Sequence, residues 1–157
     1  MSNNLIKPHG GKLINCYCDK NESEQYKNDA VNYTSHTLTD RQLCDLELIL
    51  NGAFSPLDGF MNQECYNSVL EKNRLLDGNI WPMPIILDVK SDLADKVQIE
   101  DKLALRDKEG YLIAIIQISD KWNYDKSLEA QKVYGTTDIT HTGVRYIFEN
   151  GGDICLG

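Results

Sequence analysis

Few of the side chains that could do chemistry stand at the spacings that a reaction centre needs. The three histidines, His9, His36 and His141, are too far apart in sequence to form the paired ligands of a helix-borne metal site. Cys16 and Cys18 would share one face of a strand, but no second pair of ligands follows at zinc spacing. The residues therefore predict no metal site, and we expect the two cysteines to be structural.

The candidates for catalysis are equally isolated. Ser55 precedes Pro56 and lacks the Gly-x-Ser-x-Gly setting of a nucleophile elbow. Arg41 and Asp45 are one helical turn apart, which predicts a surface ion pair worth about a few tenths of a kcal/mol. His141 lies between two threonines and is the histidine best placed to contact a phosphate or a sulfate. From the residues alone, no catalytic residue is predicted.

A capped helix leads into the most specific stretch of the sequence. Thr39 and Gln42 have the spacing of a capping box, which predicts a helix from about 40 to 51 that ends at Gly52. The residues expected on its buried face are Leu43, Leu46 and Leu50. The loop that follows, 54–61, mixes large apolar residues with turn formers. It either folds back over its own core or meets another domain or a ligand.

The remaining patterns predict several short strands with helices inserted. We expect a second helix after Asn62, hairpins at 75–80 and 102–118, and a helix at 127–133. Strands are expected at 12–18, 85–89, 144–148 and 154–156, and residues 19–37 look like a polar surface excursion. The second arm of the 102–118 hairpin is apolar on both faces, which predicts a central strand. The fold class expected from this order is α+β, built on a small barrel.

Composition narrows the class of protein. The chain has 157 residues, of which 41% are hydrophobic and 25% charged, as in one soluble globular domain. Its net charge of -8, without a basic stripe, argues against a nucleic-acid partner. No window offers the roughly 20 apolar residues that cross a bilayer, and residues 1–8 lack the apolar core of a secretory signal. With five cysteines in no framework spacing, we expect a cytoplasmic chain that has no membrane partner.

Six stretches, in order along the chain, carry a resemblance to a known family. They read PHGGKLIN at 8–15, LTDRQLCDLELILNG at 38–52, FSPLDGFM at 54–61, WPMPI at 81–85, LRD at 105–107 and YGTTD at 134–138. Together they resemble the amino-terminal domain of ATP sulfurylase, or sulfate adenylyltransferase. The match spans nearly the whole chain and departs from the family at Ala53, where a second glycine is usual, and at Thr142, where a proline is usual.

The resemblance implies a PUA-like small β-barrel with inserted short helices, forming a single amino-terminal domain over 1–157. It also implies that the complete enzyme transfers an adenylyl group from ATP to sulfate, with Mg²⁺ on the triphosphate, and is a possible homo-oligomer. The family's Gln-x-Arg-Asn motif and paired histidines belong to a following catalytic domain, which is absent from this chain. The nearest match here, Gln25-Tyr26-Lys27-Asn28, has lysine in place of arginine and would not form a bidentate clamp.

The resemblance assigns this chain a structural and docking role, with no catalytic residue and no activity of its own. The partner would be the catalytic domain of ATP sulfurylase. The family-signature and docking candidates are Arg41, Asp45, Asn51, Phe54, Ser55, Pro56, Leu57 and Phe60, and the candidates for ligand contact are His9 and His141. Two alternatives remain open: a stand-alone PUA-like module that binds RNA, and a regulatory chain that joins full-length sulfurylase subunits.

Overall fold

The computed structural model describes residues 6–157 and shows helices and strands interspersed along the chain. The helices are α1 (Lys20–Asp29), α2 (Asp40–Leu50), α3 (Gln63–Lys72), α4 (Ser91–Ala94), α5 (Lys126–Glu129) and α6 (Thr142–Asn150). The strands are β1 (Thr34–Thr37), β2 (Leu87–Val89), β3 (Lys102–Arg106), β4 (Leu112–Gln117), β5 (Lys121–Asn123) and β6 (Ile154–Leu156). A π-helical turn, Ala130–Tyr134, extends α5. No helix of residues 6–157 is both long and apolar enough to cross a bilayer.

The strands form two three-stranded sheets. In the first, the order is β1-β3-β4, with β1 parallel and β4 antiparallel to the central β3. In the second, the order is β2-β6-β5, and both pairings are antiparallel. The α+β class is therefore confirmed, but within residues 6–157 the two sheets do not close into the predicted small barrel.

One hydrophobic core joins both sheets to α2 and α3. The strands contribute buried side chains that include Leu87, Val89, Leu103, Leu105 and Leu156. The two helices contribute Leu46, Ile49, Tyr66, Val69 and Leu70. Because helix and strand residues share this core, α2 is held against the sheets along its length.

Helix α2 begins and ends as its sequence predicts. The Thr39 side chain accepts from the backbone N–H of Gln42, and the Gln42 side chain accepts from the Thr39 backbone, which completes a capping box. The buried face, however, consists of Gln42, Leu46 and Ile49, while Leu43 and Leu50 are half-buried. The prediction missed this rotation because it placed a polar Gln42 at the cap alone, whereas its side chain is 1% exposed.

Two predicted strands are wrong. Residues 12–18 form no strand, because their backbone bonds go singly to other groups: Ile14 N–H donates to the Ser55 hydroxyl, and Cys16 N–H donates to Leu50 O. Residues 144–148 belong to α6, where Val144 and Ile147, three residues apart and so on one helical face, are buried. Thr142 is the first helical residue of α6, a position at which a proline is also tolerated.

The polar excursion and the second hairpin also differ from expectation. Residues 19–37 do lie on the surface, but they contain α1, whose Asp19 forms a capping box with Glu22, and the edge strand β1. Strand β4 is an edge strand with half-buried side chains, and the centre of its sheet is β3. The sequence predicted β4 at the centre because its residues are apolar on both faces. Apolar residues on both faces show that both faces are covered, but not whether the strand has a neighbour on each side.

Candidate functional site

The residues predicted as a signature fall into two groups, and the first is a polar network at the start of α2. Arg41 donates from Nη1 to Asp45 Oδ2 at 3.0 Å and from Nη2 to Asp88 Oδ1 on β2. The Asp88 side chain is 5% exposed and that of Arg41 is 32% exposed. The predicted surface pair between Arg41 and Asp45 is thus part of a half-buried network, because Arg41 reaches across to a buried carboxylate.

Gln42 and Gly152 complete this network. The Gln42 amide donates to Asp88 O at 2.7 Å and to Asp88 Oδ1 at 3.2 Å, and the Gly152 N–H donates to Asp88 Oδ2 at 2.6 Å. Asp88 therefore ties β2 to α2 and to the loop that precedes β6. Burial raises the pKa of Asp45, and Arg41 opposes this rise. The carboxylates of Asp45 and Asp88 both accept hydrogen bonds from other residues of the chain, which suits a structural role for the network.

A second buried acid lies at the end of α5. Glu129 is 8% exposed, and burial raises its pKa, while the hydroxyl of Tyr124 opposes this rise. Glu129 Oε2 and Tyr66 Oη each lack a partner at hydrogen-bond distance. Sequence reasoning assigned no role to Glu129, and the helix pattern offered no signal for it. Asp88 did carry a signal, since it is an acidic residue inside an apolar run that predicts a buried strand.

The second group surrounds the loop at 54–61. The Ser55 hydroxyl donates to Gly52 O at 2.6 Å and accepts from Ile14 N–H at 2.9 Å, which fastens residues 12–16 along the loop. Gly52 has φ +81°, and a Cβ there would lie 2.1 Å from Ile14 O. Only glycine therefore lets the two segments approach this closely. Residue 53 does not need the family's usual glycine, because Ala53 is not among the described residues of positive φ.

Trp81 extends this arrangement to a third segment. Its ring meets Phe54 edge to face at 5.6 Å between centroids and lies 6.1 Å from the His9 ring. His9 Nε2 lies 2.9 Å from Ile80 O. Three separate parts of the chain, around residues 8–16, 52–58 and 79–83, therefore meet at one place.

These segments present an apolar face to solvent. Leu13 is 61%, Ile80 60% and Met83 46% exposed. Phe54, Pro56 and Leu57 of the loop are half-buried. We define the apolar face as Leu13, Phe54, Pro56, Leu57, Ile80 and Met83. Several neighbouring apolar side chains on one surface are typical of a protein contact.

The other predicted residues have local roles. Asn51 is exposed, and its side chain accepts from Ala53 N–H at 2.9 Å. Phe60 is buried in the core. His141 is the N-cap of α6, where Nδ1 accepts from Val144 N–H at 3.4 Å, and its ring lies 4.9 Å from that of Tyr134. His9 and His141 therefore contact different residues: His9 lies at Ile80 and Trp81, and His141 lies at Val144 and Tyr134.

The cysteines and acids of the described chain do not gather into a metal site. No group of three or more His, Cys, Asp and Glu residues in 6–157 could hold a metal ion. Cys16 is half-buried and Cys18 is exposed, and neither is in a disulfide. Burial raises the pKa of the Cys16 thiol.

Comparison with known proteins finds relatives that are much longer than this chain. It is 42% identical over 156 residues to sulfate adenylyltransferase of Kluyveromyces lactis, a match that covers 98% of this chain and 31% of that protein. It is 38% identical over 157 residues to sulfate adenylyltransferase of Synechococcus sp., covering 100% of this chain and 40% of that protein. The chain therefore spans about a third of the length of the curated relatives it matches.

A solved structure has a similar fold over most of this chain. A hexameric APS kinase from Thiobacillus denitrificans superposes with a TM-score of 0.70 and 39% identity, over 76% of this chain and 24% of the other. Residues 6–157 match the family described as the PUA-like domain. The resemblance to sulfate adenylyltransferases read from the sequence is confirmed, and this chain belongs to the PUA-like domain family.

Proposed function

We propose that this chain acts as the amino-terminal, non-catalytic region of a sulfate adenylyltransferase and docks onto the region that does the chemistry. The observation that carries the proposal is the pattern of coverage. The relatives match this chain almost end to end, yet more than half of each relative lies outside the match. A region of such size has room for the reaction centre, whose predicted motifs are missing from the sequence here.

The apolar face supports docking as the role of this region. Leu13, Ile80 and Met83 are large apolar residues that are each about half exposed or more. Leaving such a surface in water is unfavourable by roughly 25 cal/mol for each Å² that could be buried. The occupant that we propose is the remainder of a longer adenylyltransferase chain.

The site beneath that face is built to hold a fixed shape. Ser55 bonds to both Gly52 and Ile14, so the loop and residues 12–16 are joined by a buried hydroxyl. The network around Asp88 in turn fixes the start of α2, whose far end leads into the same loop. A preorganised surface loses less conformational freedom when it binds a partner.

The chemistry of the complete enzyme is part of the same proposal. It would transfer an adenylyl group from ATP to sulfate and release pyrophosphate, with Mg²⁺ offsetting charge on the triphosphate. We assign neither group to a residue of this chain. The enzyme would function in the cytoplasm, and the hexameric state of the related APS kinase supports a homo-oligomer.

The direct test is an assay of pyrophosphate release by the purified 157-residue chain, with ATP, Mg²⁺ and sulfate present. We expect no sulfate-dependent turnover. The control is the Kluyveromyces lactis enzyme assayed in parallel, which should release pyrophosphate under the same conditions. Turnover by the isolated chain that depends on sulfate would overturn the non-catalytic role.

A further inference from the structure

A cavity beside the edge strand β1 concentrates positive charge on an acidic protein. Its volume is about 330 Å³, and its lining consists of Ser35, His36, Thr37, Lys90, Asp92, Leu93 and Lys96. Two lysines thus face one aspartate, although the chain as a whole carries a net charge of -8. The local excess of positive charge is the feature that needs a reason.

The donors around this cavity are only partly used by the protein. Lys90 Nζ donates one of its three protons to Gly151 O at 3.0 Å, which holds the ammonium in place and leaves two protons. Lys96 forms no ion pair with any residue of 6–157. Both lysines therefore keep N–H groups that no acceptor of residues 6–157 uses.

Hydroxyl groups line the same cavity. Ser35 Oγ accepts from Arg106 Nε at 3.1 Å, so its own proton remains available to donate. The Arg106 guanidinium also places a third cation next to the cavity wall. Thr37 lies opposite Arg106 in the sheet and supplies a second hydroxyl.

His36 connects the cavity with the buried network. Its Nε2 lies 3.1 Å from Gln42 Oε1, and the Gln42 amide group donates to Asp88. Because Gln42 must donate to Asp88, its oxygen faces His36, and His36 Nε2 is the donor in this contact. The histidine side of the cavity is thereby fixed in position by a buried side chain.

We propose that this cavity binds a tetrahedral oxyanion, either a free inorganic ion or the phosphate group of a larger molecule. Two lysines and two hydroxyl residues on the lining of one concave site are of the donor types that such an anion requires. Asp92 opposes binding and limits it to a weak affinity. The cavity is larger than one oxyanion needs, so it has room for a group attached to the phosphate.

The experiment is an NMR titration of the labelled 157-residue chain with sodium phosphate, at constant ionic strength held with sodium chloride. We expect saturable shifts of the His36 ring signals and of the backbone amides at 35–37 and 90–96. A parallel titration with ribose 5-phosphate separates the two sources: tighter binding than phosphate indicates that the cavity takes a phosphorylated molecule, and equal binding indicates the free ion.

Two matched variants make the result decisive. Lys96→Gln removes an exposed charge from the lining and should weaken phosphate binding about fivefold, as expected for one nearby cation in a solvated site. Lys72→Gln removes an exposed lysine at the end of α3, which does not line the cavity, and should leave the affinity unchanged. Shifts that do not saturate, that chloride alone reproduces, or that both variants reduce equally would overturn the proposal.

Discussion

Replacing Asp88 with asparagine should destabilise the fold more than any other single charge removal in the polar network. Three donors share this carboxylate: Arg41 Nη2 and Gln42 Nε2 on one oxygen, and the Gly152 N–H on the other. Asparagine offers one oxygen and one NH₂ group, so at least one donor would face another donor. Breaking a buried ion pair costs about 3–5 kcal/mol.

The partly exposed Arg41 places the expected loss at the lower end of that range. Its side chain is 32% exposed and keeps its bond to Asp45, so we expect Asp88→Asn to lower the free energy of unfolding by about 3 kcal/mol. Asp45→Asn is the matched control. It removes the negative charge beside the same arginine but keeps an amide oxygen that can accept from it, so it should cost about 1 kcal/mol or less.

The assay is urea unfolding followed by far-ultraviolet circular dichroism. With a slope of about 2 kcal/mol per M, a loss of about 3 kcal/mol lowers the midpoint by about 1.5 M. The control should lower it by no more than about 0.5 M. If Asp88→Asn shifted the midpoint no further than Asp45→Asn, the carboxylate would not be the centre of the network.

Three further perturbations test other parts of the structure. Burial raises the pKa of Glu129 above its ordinary value of 4.5, so its contribution to stability is present below pH 4.5 and is lost as pH rises through the folded pKa. When urea unfolding is repeated toward neutral pH, Glu129→Gln should therefore gain stability relative to wild type. A difference between the two proteins that does not change with pH would contradict this. Gly52→Ala should lower the free energy of unfolding by more than about 2 kcal/mol in thermal unfolding, because its Cβ would overlap Ile14 O. The control Gly78→Ala, at φ +88° with open space around it, should lower it by about 1 kcal/mol. Equal losses for the two variants would refute the close approach of Gly52 to Ile14. Ser55→Ala should cost about 1–3 kcal/mol in urea unfolding by leaving Ile14 N–H unpaired, and a neutral result would show that the hydroxyl does not fasten the loop.

Local signals in the sequence predicted the elements that local physics determines. The capping residues Thr39 and Asn62 set the starts of α2 and α3, and the pattern of Tyr66, Val69 and Leu70 set the buried face of α3. The strand predicted at 144–148 was wrong because a short apolar run fits both periods, and the cap at His141 favours the helix.

Contacts between distant segments were beyond this kind of prediction. Arg41 and Asp88 are 47 residues apart in sequence, and they meet because the start of α2 lies next to β2 in the fold. The resemblance identified the stretch from Phe54 to Met61, but not that Leu13, Ile80 and Met83 would join it in one apolar face. Those residues have ordinary local roles in the sequence, and their common surface arises from the tertiary fold.

The most direct test of the docking role is a hybrid in which this chain replaces the matching region of the Kluyveromyces lactis sulfate adenylyltransferase. We expect the hybrid to release pyrophosphate in a sulfate-dependent way. Ile80→Asp should shorten the half-life of that activity at elevated temperature, because a charge on the apolar face would oppose docking. Ile99→Asp, an equally simple change at a residue 53% exposed outside that face, should not shorten it. Equal half-lives for the hybrid and both variants would contradict docking through the apolar face.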